Sequence, residues 1–239
     1  MQSEVVSLDV HVVNENEAPG ITSNASVVHV REDATRGTVL FDVTAVDPDA
    51  QDTLHFVVGD GSGDDSAELF AITRTDTTNG GSAVATATVH LSSDDLDYEK
   101  RASYEVYVCA VDRGGLSTCT YVQLHVVDVN DITIDSFAGS LTHATHGGDV
   151  VQLLGSNFGP TDGSLTAASI VATYGHGSLH YTATQCAVVG GGNTMIECTT
   201  VPGTGGDLAW TLNLAIAQRG LGLPPVVQQA KTKDGLTTR

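Results

Sequence analysis

The sequence is poor in basic residues, in aromatics and in long apolar runs, and each shortage removes a class of function. Only 10 Lys and Arg stand against 29 Asp and Glu, for a formal charge of −19. A chain this acidic is repelled by nucleic-acid phosphates and by anionic lipid. No apolar stretch reaches roughly 18 residues, so no segment is expected to cross or insert into a membrane as a helix. The first residues, Met1 to Asp9, carry Glu4 and lack the apolar run of a secretory leader. The expectation is an internal piece of a longer protein, if the parent is secreted.

Catalytic signatures are missing as well. There is no G-x-S-x-G elbow, no phosphate-binding P-loop and no H-E-x-x-H, so the chain reads as non-enzymatic. Nine histidines raise the question of zinc. His143, His146, His176 and His180 fall on apparent loops, not on one helix face, and no cysteines accompany them at ligand spacing. His11, His29, His90 and His125 fall on alternating strands and read as surface residues. The loop Asp60-Gly61-Ser62-Gly63-Asp64-Asp65 opens like an EF-hand. It has Asp65 where that loop needs Gly and Ala71 where it needs Glu, and reads as a plain connection.

What is present points one way. Short Val- and Thr-rich runs, separated by Gly, Asp and Asn clusters, describe many short strands and no long helix. The 239 residues have room for about two domains. The acidity is uneven: residues 14–131 carry 21 acidic and 6 basic residues, residues 132–239 only 6 and 4. Such crowding of carboxylates needs a cation or ample water. Four cysteines form two local pairs. Cys109 and Cys119 bracket the turn Asp112-Arg113-Gly114-Gly115, where a cross-strand bridge is feasible. Cys186 and Cys198 bracket Gly190-Gly191-Gly192-Asn193 in the same way. Bridged, they indicate an oxidising compartment; the alternative is two pairs of buried thiols. The sequon Asn24-Ala25-Ser26 agrees weakly with secretion.

A strand-plus-linker unit occurs twice. Residues 4–13 alternate apolar and polar and run into Asn14-Glu15-Asn16-Glu17-Ala18-Pro19; residues 122–127 do the same and run into Asp128-Val129-Asn130-Asp131. The two units mark the ends of one repeat, 14–131, with residues 1–13 the last strand of a truncated preceding repeat. Inside it the alternation predicts seven strands, near 27–30, 39–45, 53–58, 68–73, 83–91, 103–111 and 119–127, the number a Greek-key sandwich needs. A second series, 132–217, predicts strands near 133–137, 150–154, 168–173, 183–188, 194–199 and 209–216. Residues 218–239 read as a truncated tail or linker. The fold class expected is all-β, two tandem Greek-key or Ig-like β-sandwiches.

Glu32 within VREDATRGTVL, Asp47-Pro48-Asp49, Phe70-Ala71-Ile72, Leu96-Asp97-Tyr98-Glu99, Ala110-Val111-Asp112 and Asp128-Val129-Asn130-Asp131 occur in order. Together they resemble the cadherin repeat. The resemblance implies calcium (Ca2+) at the joints between repeats, because the ion takes six to eight oxygens and no single short loop here supplies them. At the far pole Glu32, Asp97, Glu99, Asp128, Asn130 and Asp131 are implied ligands. At the near pole the resemblance implies Asp47, Asp49 and Asp112, with Asn16 and Glu17 from the linker. Asn14 stands where Asp is expected and Glu17 where another is, so the near pole is expected to be empty or weak. The continuation Ile132-Thr133-Ile134-Asp135 brings no D-x-D motif, so the far pole is expected to hold fewer ions than a joint between two repeats, with Asp135 a possible extra ligand.

Residues 132–217 contain Gly155-Ser156-Asn157-Phe158-Gly159-Pro160, the second cysteine pair and Thr200 before Pro202-Gly203. These resemble an IPT/TIG domain, an Ig-like sandwich of extracellular proteins that implies a spacer or protein-binding role. The function expected is a calcium-binding structural and adhesive segment of a large extracellular or cell-surface protein. Its expected partners are adjacent repeats of the same chain and other protein ectodomains, homophilic or heterophilic. A second reading is a ligand- or glycan-binding accessory module of a secreted enzyme or receptor, which exposed aromatics would favour. A third is a surface-filament component.

Overall fold

A computed structural model of the chain describes residues 7–23, 25–49, 52–59, 69–76, 83–159, 169–190, 193–217, 224–233 and 237–238. The Asn24 sequon position and the acidic loop from Asp60 to Asp65 lie outside the described residues. Among the described residues there are sixteen strands and no α-helix, and no helix is long and apolar enough to cross a membrane.

Strands β1 (Gly20–Ser23), β3 (Val39–Asp47), β6 (Ala83–Leu91) and β5 (Phe70–Asp76) form one sheet in that order. A second sheet runs β2 (Val27–Arg31), β8 (Ser117–Val127), β7 (Ser103–Val111), β4 (His55–Gly59). Period-two alternation explains both. In β6, Ala83, Ala85, Ala87, Val89 and Leu91 are buried while the residues between them are half-buried. In β7, Tyr104, Val106, Val108 and Ala110 point inward. With few aromatics available, small side chains fill the interior. Ala45, Leu54, Ala85 and Ala110 form one buried cluster, with Ile21 and Phe56 packed against it.

The second series of strands makes two further sheets. One is ordered β13 (Thr184–Val188), β14 (Met195–Thr199), β10 (Val150–Ser156), β9 (Thr133–Ala138). The other is ordered β12 (Leu179–Thr182), β11 (Ile170–His176), β15 (Ala209–Ile216), β16 (Val226–Lys231). Trp210, Leu212, Leu214 and Ile216 of β15 all face inward. Trp210 stacks on Tyr174 at 4.5 Å, meets Phe137 edge-on at 6.2 Å and donates its Nε1–H to Thr238 Oγ1 at 3.0 Å. The single Trp is a core residue and offers no surface platform for a sugar ring. By contact density the chain divides into two compact units, residues 1–26, 39–90 and 106–122, and residues 27–38, 91–105 and 123–239.

Residues 7–13 form no strand here, and Leu8, Val10, Val12 and Val13 are largely exposed. Their alternation is that of a strand, but no ladder in the described residues accepts them, and an unpaired strand does not persist in water. The tail is not a loose connection. Its β16 pairs with β15 from Thr211↔Lys231 to Ile216↔Val226, and Thr238 bridges Leu208. The pattern hid it because one inward position of β16 is a polar residue, Gln228.

Both cysteine pairs are bridged, Cys109–Cys119 and Cys186–Cys198. Cys119 is exposed, whereas Cys186 and Cys198 are buried. Mild reductant is therefore expected to open Cys109–Cys119 in the native chain and leave Cys186–Cys198 intact, as read by thiol labelling and mass spectrometry. Replacing Cys186 and Cys198 together by Ala is expected to cost about 3 kcal/mol of stability, since the bridge limits the unfolded chain.

Candidate metal centre

The far pole is assembled by one parallel pairing. β2 and β8 run side by side in the same direction, from Val27↔Gln123 to Arg31↔Val127. The residues that follow each strand, Glu32 and Asp128, therefore emerge at the same edge, and Glu32 N–H still donates to Val127 O at 3.1 Å. The segment Leu96-Asp97-Tyr98-Glu99 turns beside them. Asp97 closes that turn by accepting from Lys100 N–H (2.8 Å) and, through its carbonyl, from Arg101 N–H (2.9 Å). Glu32 is the keystone: Oε2 accepts from Tyr98 N–H at 2.8 Å and Oε1 from Val129 N–H at 2.6 Å. One side chain thus ties the turn to the linker.

Oxygen atoms of Glu32, Asp97 and Glu99 lie within 4.8 Å of one another. Glu32, Glu99 and Asp128 are 7%, 2% and 3% exposed, far drier than carboxylates normally are. Burial, and then the charges of Glu32 and Asp128, push the Glu99 carboxyl up to about 8. Burial, with Glu32 and Asp131 beside it, pushes Asp128 up to about 7. Glu32 and Asp131 are also raised, mainly by burial. Both oxygens of Glu99, Oδ2 of Asp128 and Oδ1 of Asp131 are buried without a hydrogen-bond partner. Such atoms are uncommon in native proteins and each calls for an explanation.

The second sandwich meets this edge with amides. Gln228 Nε2 donates to Asp128 Oδ1, and Gln229 N–H donates to Asn130 Oδ1 at 2.6 Å. Asn157 Nδ2 donates to Asp131 Oδ2 at 2.6 Å. Asn157 sits at φ +56°, a left-handed conformation that Asn tolerates better than most residues. Beside it, Gly155 is required by space, because a Cβ there would lie 1.8 Å from Thr133 O. Asp135, the possible extra ligand, is instead paired with Lys233 at 3.1 Å.

The near pole is differently balanced. Asp47, Asp49 and Asp52 also bring oxygens within 4.8 Å of one another. Here most of the charge has a donor. Asn14 Nδ2 and Glu17 N–H donate to Asp49, Asn16 Nδ2 donates to Asp112 Oδ2 at 2.8 Å, and Arg113 N–H donates to Asp52 Oδ1 at 3.0 Å. Burial raises Asp112, but the hydrogen bonds from Asn16 and from Leu116, Gly115 and Gly114 outweigh it and leave that carboxyl lowered. Only Asp47 Oδ2 among these oxygens is buried and unpartnered.

Of the residues singled out in the sequence, Glu32, Asp97, Glu99, Asp128 and Asp131 gather at one edge, while Asn130 is exposed and held by β16. Asp47 and Asp49 gather with Asp52, Asn16 contacts Asp112, and Glu17 enters only through its main chain. The pattern overlooked Asp52, although Asp47-Pro48-Asp49-Ala50-Gln51-Asp52 shows a third carboxylate at short spacing. It also overlooked Gln228 and Asn157, for which no local signal exists. Both candidate metal groups among the described residues consist of carboxylates alone. His143, His146, His176 and His180 form no such group there, and His176 and His180 lie on β11 and β12, not on the loops expected from the sequence.

Residues 26–127 match the family model "Cadherin domain". Protein dachsous of Drosophila melanogaster is 31% identical over 128 residues, 53% of this chain and 3% of that protein. Protocadherin gamma-A11 of Homo sapiens is 32% identical over 155 residues, 63% of this chain and 15% of that protein. The chain thus spans only a small part of the curated relatives it matches. Among solved structures, Drosophila N-cadherin EC1-4 aligns with a TM-score of 0.47 at 15% identity, covering 90% of this chain and 49% of that one.

Proposed function

We propose, from the premise that residues 26–127 are a cadherin domain, that this chain is a structural and adhesive segment in which calcium stiffens the joint after Val127. As a segment with a cadherin domain and two disulfides it belongs outside the cell or on its surface. One observation carries the calcium assignment. Four buried carboxylate oxygens at a single edge, from Glu99, Asp128 and Asp131, accept no hydrogen bond, and every donor atom there is a hard oxygen. That set suits calcium and not zinc, which takes nitrogen and sulfur.

Glu32, Asp97, Glu99, Asp128 and Asp131 would hold the ion, which supplies the positive charge that the packed carboxylates lack. Glu32 positions Tyr98 and Val129 around it, and Asn130 fastens the linker to β16. The near pole, with Asp47, Asp49, Asp52 and Asp112 largely satisfied by Asn14, Asn16 and main-chain N–H groups, is a weak site in this chain. The second sandwich is assigned to the IPT/TIG type, as a spacer or protein-binding module. The turn at Gly155 to Gly159 and the bridge between β13 and β14 support that assignment. The segment is read as non-enzymatic, and the partners proposed are neighbouring repeats and other protein ectodomains.

If calcium stiffens the joint, hydrogen exchange across residues 126–134 slows when calcium is added to the chelated chain. The expected change is at least about tenfold, equivalent to roughly 1.4 kcal/mol of added protection. Exchange that is indifferent to calcium at millimolar concentrations would remove the joint-stiffening role.

A further inference from the structure

Among the described residues of the second sandwich two side chains reach the linker carboxylates, Asn157 at Asp131 and Gln228 at Asp128. Gln228 lies on β16 and is 0% exposed, the one fully buried amide among the described residues. Its neighbours at inward positions of the strand are apolar, and Ala230 is 6% exposed. A Gln there is costly unless both ends of the amide are satisfied. Only the nitrogen is: Nε2 donates to Asp128 Oδ1, while Oε1 is buried and accepts nothing. A buried carbonyl oxygen left this way is destabilising.

The carboxylate that Nε2 grips, Asp128, stands beside Glu32, Asp131 and Glu99. Asp128 Oδ2, Asp131 Oδ1 and both oxygens of Glu99 share the same deficit. A group of buried oxygens of which none finds a hydrogen is relieved by a cation, and amide carbonyls are ordinary calcium ligands. The strand is also held in register for the purpose. Gln228 takes hold of Asp128 by its side chain, and the next residue, Gln229, takes hold of Asn130 by its main chain. Asn157 occupies Oδ2 of Asp131 and leaves Oδ1 of that carboxylate unclaimed.

We propose that Gln228 is the ligand the second sandwich gives to the cation at this joint, its Oε1 standing where a following repeat would offer a carboxylate. The proposal rests on the calcium reading of the far pole and adds the residue that couples the ion to the second sandwich. A neutral ligand in place of a charged one makes the site weaker than an all-carboxylate joint, and makes it depend on a strand almost 100 residues away from the linker.

The test uses the whole chain with calcium chloride, followed by calorimetry, and with terbium as a luminescent stand-in whose lifetimes in H2O and D2O count inner-sphere waters. Gln228→Met keeps the length and flexibility of the side chain and removes the oxygen. The expected result is calcium affinity weaker by about tenfold or more, with a water added to the bound terbium. Gln228→Glu is expected to act oppositely on the two states, tightening calcium about tenfold while lowering the melting temperature in chelator, where it faces Asp128. If Gln228→Met binds calcium and counts waters like the parent while Glu99→Gln abolishes binding, Gln228 merely holds Asp128 and the proposal falls, with the joint reading intact. If Gln228→Glu weakens binding, the proposal falls as well. A parent chain that binds no calcium overturns both.

Discussion

Calcium added to the chelator-stripped chain is expected to raise its melting temperature in a saturable way, and Glu99→Gln is expected to abolish the rise. Extracellular calcium modules bind with dissociation constants of about 10⁻⁴ to 10⁻³ M. At ten times that constant one site adds roughly 1.4 kcal/mol, a shift of roughly 3–6 °C for a chain of this size. The substitution has a second signature. Glu99 is buried with both oxygens unpartnered and with Glu32 and Asp128 beside it. Removing its charge therefore relieves repulsion, and Glu99→Gln is expected to melt higher than the parent in chelator at pH 8. A variant that is more stable without calcium and indifferent to calcium identifies a ligand; one that is simply less stable in both conditions identifies a packing residue. No shift in the parent up to several millimolar calcium would mean that the cluster is held by protons alone.

The second large effect is the dependence of that stability on pH. Glu99 is raised from 4.5 to about 8 and Asp128 from 3.8 to about 7 in the folded chain. The fold holds protons on these groups that the unfolded chain has released. Their contribution is fully present below about pH 4, where both states are protonated alike, and it is lost as pH rises through about 7 for Asp128 and about 8 for Glu99. The chelated chain is thus expected to melt progressively lower between pH 5 and 8.5. The slope is about 1 kcal/mol per pH unit for each group. Calcium competes with the same protons, so its stabilising shift is expected to be small at pH 5.5 and large at pH 8. Melting curves at four pH values, with calcium and with chelator, decide this. A chelated chain equally stable at pH 5.5 and 8 would mean that water reaches Glu99 and Asp128 and that the cluster is not dry.

Much of the architecture follows from local signals. Alternation of period two marked β6, β7 and β15 to within the residues observed, because a strand with one buried face writes that face into every second position. Cys109 and Cys119 bracket a turn whose Asp112 closes it by accepting from Leu116 N–H, so their pairing was legible from spacing. The five far-pole carboxylates were singled out through the resemblance to the cadherin repeat and not by a local rule, Asp97 and Glu99 lying in the turn between β6 and β7. β1 and β12 were not legible. Four residues each, they are too short to show a period, and only the strands beside them give them a sheet to join.

By itself, then, the sequence determined the fold class, the local pairing of the cysteines and the inventory of acidic residues, because periodicity, turn chemistry and charge are properties of neighbouring residues. The tertiary structure alone decided that the cysteines are bridged and what those carboxylates face. Gln228 and Asp128 are 100 residues apart and Asn157 and Asp131 are 26 apart, and no local pattern links them. The same holds for the loss of the expected strand at residues 7–13 and the gain of β16. A strand is stable only where a partner offers its unpaired N–H and C=O groups, and that offer is made by the folded sheet.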